Sequence, residues 1–349
     1  MTALPTRRVE EWKYSDLARA LGDAGFGDGA AKAVATAPDG VEIVSLENGN
    51  RPAWVAQHYG KLPANVVSAV SLAKAQGGIA MRVRKNVAVV APLVLNISGE
   101  GHVRLLLVLE EGASLTVSEH CDPAATRNTG FEIVLGENAR LDHVRLSPAS
   151  AVVQVEEIAL LAAAGAQYHS HFASFGAKLS RLEIMIALEG EKAEAHLSGV
   201  SVLATGHADI TTHVAHKIKD THSTQLFKKV AGGKSRAIYQ GKVSVAPGAD
   251  GVDSRQTAKA LLLSREAEAD LKPELEILAD DVKCAHGAAV GDLDADSLFY
   301  LRARGLPETE ARALLIHAFL EDAFAGVASD DLREMVRGTV NNALDGIAI

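Results

Sequence analysis

Cysteine is nearly absent: the 349 residues hold two, Cys121 and Cys284. They are too few and too far apart for a disulfide framework, which fits a reducing compartment. The same scarcity excludes a four-thiolate site within one copy of the chain, for structural zinc or for a cluster of iron and sulfur. Any such site must borrow ligands from His, carboxylates or a partner. Aromatic residues make up 4%, which counts against the binding groove of a β-helical lyase or carbohydrate-binding protein. Excess positive charge is missing too: 35 Lys and Arg face 44 Asp and Glu, a formal charge of -9. Broad nucleic-acid binding needs clustered cations on a net basic domain, and the local run Lys217, Lys219, Lys228, Lys229, Lys234 and Arg236 reads as one solvated face. No apolar stretch reaches the ~18 residues of a membrane span, since Glu156 and Glu157 break the run from Ala151. Arg7 and Arg8 are followed by Glu10, Glu11, Trp12 and Lys13 rather than by the apolar core of a signal peptide. The expectation is a cytoplasmic chain that engages neither membrane nor nucleic acid.

What is present is apolar: 48% hydrophobic residues over this length support a sizeable core. In "RRVEEWKYSDLARAL" the spacing of Val9, Trp12, Leu17 and Leu21 predicts a helix beginning near Pro5 and Thr6. "GDAGFGDGAAKAVATAPDG" reads as a loop or linker, and "PANVVSAVSLAKA" as a helix among short strands. From about residue 80 to about 285 the pattern turns to short alternating runs, such as "MRVRKNVAVV", "HVRLLLVLE" and "AIYQGKVSVA", separated by Gly, Asn and Asp turns. Strands dominate there. The turns follow a loose rule, two small, polar or charged residues and then Ala, at Ala113, Ala139, Ala166 and Ala193, and again at Ala208. The first four are about 26 to 27 residues apart, a spacing within the range of stacked-repeat architectures. A β-solenoid accounts for this period; an antiparallel sandwich also gives regular short strands.

After Gly291 the helical period returns. "DLDADSLFYLRARG" carries Leu298 and Leu301, with acidic residues first and Arg302 and Arg304 last, and Gly305 is placed for a left-handed cap. Pro307 begins a helix that sets Ala311, Leu314, Leu315, Ala318, Phe319 and Ala323 on one face. A further helix starts near Ser329, with Leu332, Met335 and Val336 as its apolar positions. The helical end is expected to form one compact unit, with Leu314 and Leu315 buried.

Few motifs carry chemistry. Gly233, Lys234 and Ser235 resemble the end of a phosphate-binding loop, but its first glycine would fall at Lys228, so no nucleotide is expected to bind. His169 and His171, two apart on a strand, share a face and could chelate a metal, and His207, His213, His216 and His222 lie near in sequence. Without H-E-x-x-H or C-x-x-C spacing, outer-face polar residues explain them as well. No G-x-S-x-G elbow supports a hydrolase, and Cys121 reads as a small packed side chain. Cys284 and His286, in "DVKCAHGAAVG", point the same way from one strand at the seam between the β region and the helical end, where binding surfaces often form.

The segments "LPTRRVEEWKYSDL" and "LADDVKCAHGAAVGDLDADSLFYLRARGL" resemble two signatures of the SufB/SufD family of iron–sulfur cluster assembly proteins, on its SufD side. The short N-terminus, the length and the scarcity of cysteine favour that side of the family, with a SufB-type scaffold as the alternative within it. The resemblance implies a mainly β fold: a right-handed parallel β-helix core at 80–290, an N-terminal helical and mixed region at 1–79, and a C-terminal helical domain at 291–349. It implies a scaffold rather than an enzyme, pairing with SufB through the β-helix and with the SufC ATPase through the C-terminal helices, where Arg312 and Glu321 are candidate surface contacts. His286, with Cys284 beside it, is by position in the motif the candidate ligand for iron or a nascent cluster shared with the partner. A homodimeric metal-binding β-solenoid is the alternative from another class, and a homodimer in isolation is compatible with either.

Overall fold

The computed structural model describes residues 4–27, 29–47, 51–62, 65–327 and 329–347. Among them the chain first forms α1 (Leu17–Leu21), β1 (Lys32–Thr36), β2 (Val41–Ser45), α2 (Ala53–His58) and α3 (Val66–Lys74). The strands then run as β3 (Gly77–Val83), β4 (Leu93–Ser98), β5 (Gly101–Leu109), β6 (Ser114–Cys121), β7 (Arg127–Leu135), β8 (Arg140–Ser147), β9 (Val153–Ala162) and β10 (Gln167–Ser174). They continue as β11 (Leu179–Leu188), β12 (Glu194–Leu203), β13 (His207–His216), β14 (His222–Ala231), β15 (Arg236–Val245), β16 (Val252–Leu262), β17 (Glu268–Ile277) and β18 (Val282–Gly291). Three helices close the chain: α4 (Ala295–Ala303), α5 (Glu308–Glu321) and α6 (Asp330–Asp345).

From β3 onward successive strands alternate between two sheets. The first sheet has the order β1-β4-β6-β8-β10-β12-β14-β16-β18, and the second runs from β2 and β3 through the odd-numbered strands to β17. Neighbours in both are parallel except at the start, where β1 lies antiparallel on β4 and β2 on β3. The result is a parallel β-solenoid of about 8 turns with helices at both ends. Its core is the space between the sheets, and registered columns of side chains fill it: Leu105, Phe131, Ile158 and Ile184 follow one another in the second sheet, all fully buried. Strand alternation sends each of them inward and its two neighbours outward.

The repeat read from alanines is a stack of corners. Ala113, Ala139, Ala166 and Ala193 each sit at 0% exposure in the turn entering a first-sheet strand, where a larger side chain would have no room. The residue before each one has left-handed backbone: Gly112, Asn138, Gly165 and Lys192. The N–H of Asn138 donates to the carbonyl of Ala164 in the next coil, and that of Gly165 to Glu191. A Cβ on Gly112 would fall 2.4 Å from Asn86 Oδ1, and one on Gly165 2.3 Å from Asn138 Oδ1. Glycine and asparagine therefore alternate in the first four corners, Asn86, Gly112, Asn138 and Gly165, because the asparagine side chain occupies the room its neighbour lacks. Ala208 belongs to the opposite corner, as the second residue of β13; Thr221, buried to 1%, takes the fifth place in the alanine stack.

Several expectations need correction. The single N-terminal helix is broken into a 3-10 turn at Glu10–Trp12 and the short α1, because Asp16 leaves the helical region and caps α1 by accepting from the Arg19 N–H. Trp12 is instead buried beneath the Arg181 guanidinium, 4.1 Å from ring centre to Cζ. The expected linker contains β1, which extends the first sheet, with Asp28 outside the described residues. α3 forms as expected, capped by Asn65, although Pro63 and Ala64 at its predicted start lie outside the described residues. The basic run is not one solvated face: Lys228 is 6% exposed beneath α5, and Lys229 is fully buried inside the solenoid. The helical end also rests on the solenoid. Ile316, Leu320, Phe324, Leu332, Val336 and Val340 of α5, α6 and their link pack against Val144, Ala173, Val200 and Val230 on the outer face of the first sheet. α5 is rotated from its expected face, leaving Leu314 49% exposed. α4 buries no residue, and Gly305 takes the left-handed φ expected of its cap. No described helix is long and apolar enough to cross a membrane.

Candidate functional site at the open end of the solenoid

β18 ends the first sheet and has a strand neighbour, β16, on one side. In their register Cys284 lies opposite Ser254 and His286 opposite Gln256. Ser254 and Gln256 are each 1% exposed and face the interior, so alternation turns Cys284 and His286 inward from one face of β18. Among the described residues no further coil covers them. Cys284 is half-buried and His286 exposed, and a Cβ on Gly287 or Gly291 would touch nothing within 4 Å. Apolar side chains at this end are uncovered as well: Val290, Ile277 and Leu278.

The two terminal strands are unequal. β17 carries Pro273, which has no N–H to offer, and its Lys272 is ion-paired with Glu10 at 2.8 Å. Charge and proline blunt a sheet edge. β18 is ten residues long, rich in Ala and Gly and free of proline, so it retains an edge on which another strand can form.

Beneath the pair the interior is polar. Ser254 Oγ is 2.8 Å from Ser223 Oγ, which is 2.9 Å from His216 Nε2, and His216 Nδ1 is 2.7 Å from Thr221 Oγ1. Gln256 donates through Nε2 to the Tyr239 hydroxyl at 3.1 Å, and that hydroxyl donates to Gln225 Oε1 at 3.0 Å. Gln256 Oε1 is buried with no hydrogen-bond partner, an unused acceptor in the strand next to His286. Burial, reinforced by Asp253, pushes the Cys284 thiol above its usual range, so sulfur becomes a ligand here only when a metal displaces its proton. One sulfur and one imidazole on one strand face can begin a site for a borderline metal but cannot close it.

The other candidates are dispersed. His207 is 2.9 Å from the Ser15 hydroxyl near the N-terminus, His213 bonds Ser244 outside the second sheet, and His216 is buried inside the solenoid. His169 and His171 stand on the outer face of the first sheet with His196, which the sequence reading passed over. Gly233, Lys234 and Ser235 form the turn between two strands, with no helix to follow. Cys121 is buried, its thiol pushed up to about 12 by burial. It stands with Glu119 and Glu156 in a grouping of metal-ligating atoms, but Arg145 already occupies that position as the cation, 3.0 Å from Glu119 and 2.6 Å from Glu156. Arg312 is half-buried, and Glu321 is exposed and paired with Arg337 of α6. The polar floor of Ser254, Gln256 and Tyr239 was missed; its signal is the inward parity of Ser254 and Gln256 in "VDSRQTAKALL", legible once the strand is placed.

The family model for the SufBD core domain of SUF-system FeS cluster assembly matches residues 96–319, from β4 into α5 and so including β18. The chain is 30% identical to the iron–sulfur cluster assembly protein SufD of Escherichia coli K12, across 99% of this chain and 90% of that one. It is 34% identical to an iron–sulfur cluster assembly SufBD family protein of Synechocystis, over 66% of this chain and 52% of that one. A SufBD family protein of Mycobacterium leprae is 26% identical over 98% and 91% respectively.

Proposed function

The chain belongs to the SufBD family as a SufD-like iron–sulfur cluster assembly protein, and from that premise we propose that it is a non-catalytic scaffold completing an iron- or cluster-binding site with a SufB-type subunit. The observation that carries this reading is the position of Cys284 and His286: inward-facing, over a polar floor, on the edge strand of an uncovered coil. A strand added to β18 would cover Val290 and the open coil end together, and would bring the partner's side chains to the pair. Iron or a nascent cluster is the cargo. His286 serves as ligand or entry residue for it, with Cys284 in support.

Docking of the SufC ATPase is assigned to the C-terminal helices, with Arg312 and Glu321 among the candidate contacts. Phe299 at 74% and Tyr300 at 57% exposure, on a helix that buries nothing, support this, because aromatic anchors of this kind dominate interface energetics. The test is anaerobic reconstitution of the three-subunit complex carrying His286→Ala or Cys284→Ser, with cluster content read by visible absorption and iron analysis. The His286 variant is expected to assemble and to lose cluster; a wild-type cluster yield from that intact complex would overturn the assignment. Cys284→Ser is expected to be milder.

A further inference from the structure

The N-terminal segment crosses the corners where the chain enters β11, β13 and β15, and a groove of about 360 Å³ lies between segment and corners. Five cations line it, Arg7, Arg19, Lys178, Lys234 and Arg236, against one carboxylate among the described residues, Asp16. The corners and the segment both contribute. Lys178 precedes β11, Lys234 sits in the turn before β15, and Arg236 opens β15 in register with His207 of β13. Arg7 and Arg19 arrive from the other wall, ahead of α1 and within it.

Two of these cations are already matched. Lys234 meets Glu266 at 3.2 Å, and Arg236 meets Glu268 at 2.6 Å and Asp270 at 3.4 Å. Among the described residues Arg7, Arg19 and Lys178 have no acidic partner, although acids outnumber cations by nine in the chain as a whole. Asp16 is turned to the Arg19 N–H, which donates to its Oδ1 at 3.0 Å. Three unmatched cations against this one carboxylate leave a surplus of two positive charges, the complement of a phosphate dianion. A concave wall focuses such a field.

His207 on the same wall registers that field. The Ser15 hydroxyl donates its proton to Asp209 Oδ2 at 2.6 Å, so the His207 Nε2, 2.9 Å from Ser15 Oγ, is the donor of that pair and the ring is fixed in place. Burial opposes protonation of the ring, and Arg236, Arg7 and Arg181 reinforce burial against the pull of Asp209, so its pKa falls to about 4. Arg236 and Arg7 belong to the groove.

We infer that this groove binds a small phosphate-bearing anion, inorganic phosphate or a phosphate monoester, held by Arg7, Arg19 and Lys178 with Lys234 and Arg236 at its margin. Guanidinium forks match phosphate oxygens in pairs, and an ammonium adds a point charge. The volume is that of a small-molecule site, and the formal charge of -9 opposes a long polyanion. Lys234 stands here without the cradle of backbone N–H groups that a phosphate-binding loop provides; side chains make the contacts. Because Arg7 and Arg19 come from the N-terminal segment and Lys178 from a corner, the anion joins the two. The site does not involve β18 and is independent of the cluster reading.

Purified full-length chain is titrated by calorimetry with inorganic phosphate and, separately, with glycerol 3-phosphate, at an ionic strength held constant with chloride. Saturable one-site binding is expected, and the tighter of the two ligands identifies the source as free phosphate or ester. Arg7→Gln/Lys178→Gln is expected to lose ~10-fold or more in affinity, since each removes a charge-assisted contact. Arg84→Gln, an exposed cation outside the groove, is the control and is expected to bind normally. Nuclear magnetic resonance of wild-type protein supplies a reading that needs no variant: the bound dianion is expected to raise the titration midpoint of His207 by ~1 pH unit. No saturable binding beyond the chloride control, unchanged affinity in the folded double variant, or an unmoved His207 midpoint would each overturn the site. None of these results bears on His286, which is read by the cluster content of the complex.

Discussion

Arg145 Nη2 lies 2.6 Å from Glu156 Oε2 inside the solenoid, joining a strand of the first sheet to one of the second. The same guanidinium reaches Glu119 at 3.0 Å, and Glu119 also meets His143 at 2.9 Å. One cation thus serves two buried carboxylates. Glu119 is held low, to about 2, by His143 and Arg145 against the opposing effect of burial, whereas burial raises Glu156 to about 7. Arg145→Met is expected to destabilise the fold by ~3–5 kcal/mol, because it leaves both carboxylates without their cation. Glu156→Gln keeps the Arg145–Glu119 pair and is expected to cost much less. Urea titrations of the two variants check the order; equal losses would contradict it.

Lys229 makes a different claim on pH. It is fully buried with one hydrogen bond, to Ser201 Oγ at 3.1 Å, and burial lowers its amine from 10.5 to about 7. The unfolded chain then holds the extra proton between pH 7 and pH 10.5, so this residue makes stability rise with pH across that window. Lys229→Met is expected to gain a few kcal/mol at pH 7 and to flatten the rise. Urea midpoints at pH 7 and pH 9.5 for both proteins decide this, and an unchanged slope in the variant would rule Lys229 out as its source.

The corner stack is testable through Gly165, whose φ is +65°. Gly165→Ala is expected to cost ~1–2 kcal/mol for its left-handed backbone alone, plus the displacement of Asn138 Oδ1. In an Asn138→Gly background the second part disappears and the first remains. A double-mutant cycle should therefore show coupling of at least ~0.5 kcal/mol, while strict additivity would mean that the two corners do not share space.

At the open end, Val290 is 47% exposed and in register with buried Ala260. Val290→Glu is expected to leave the isolated chain folded, since the side chain already meets water, and to weaken capture of the SufB-type partner at least tenfold. Binding at wild-type strength would move the interface away from β18.

Much of this was legible in the sequence, and the remainder has identifiable causes. The coil period showed in Ala113, Ala139, Ala166 and Ala193 because a buried corner admits little else. Gly305 and Pro307 marked their helix boundaries through backbone constraints that are local. The buried face of α5 was misjudged because "ARALLIHAFL" is apolar on several sides, and the choice of Ile316 and Leu320 over Leu314 is made by the sheet beneath. Lys229 was assigned to solvent because charge outweighed strand parity; it alternates inward with Ser223, Gln225 and Phe227, all fully or nearly fully buried. The groove at His207 needed the N-terminal segment, more than 150 residues away in the chain, and no local pattern records that meeting.

The reversed strands at the start of the solenoid have a consequence for stoichiometry. β1 and β2 are five residues each and run against their neighbours, so that end presents short, antiparallel edges where β18 presents ten parallel residues. A solenoid with matching edges at both ends could stack head to tail without limit and grow into a fibre. With ten parallel residues at one end only, the pairing proposed through β18 would stop at two.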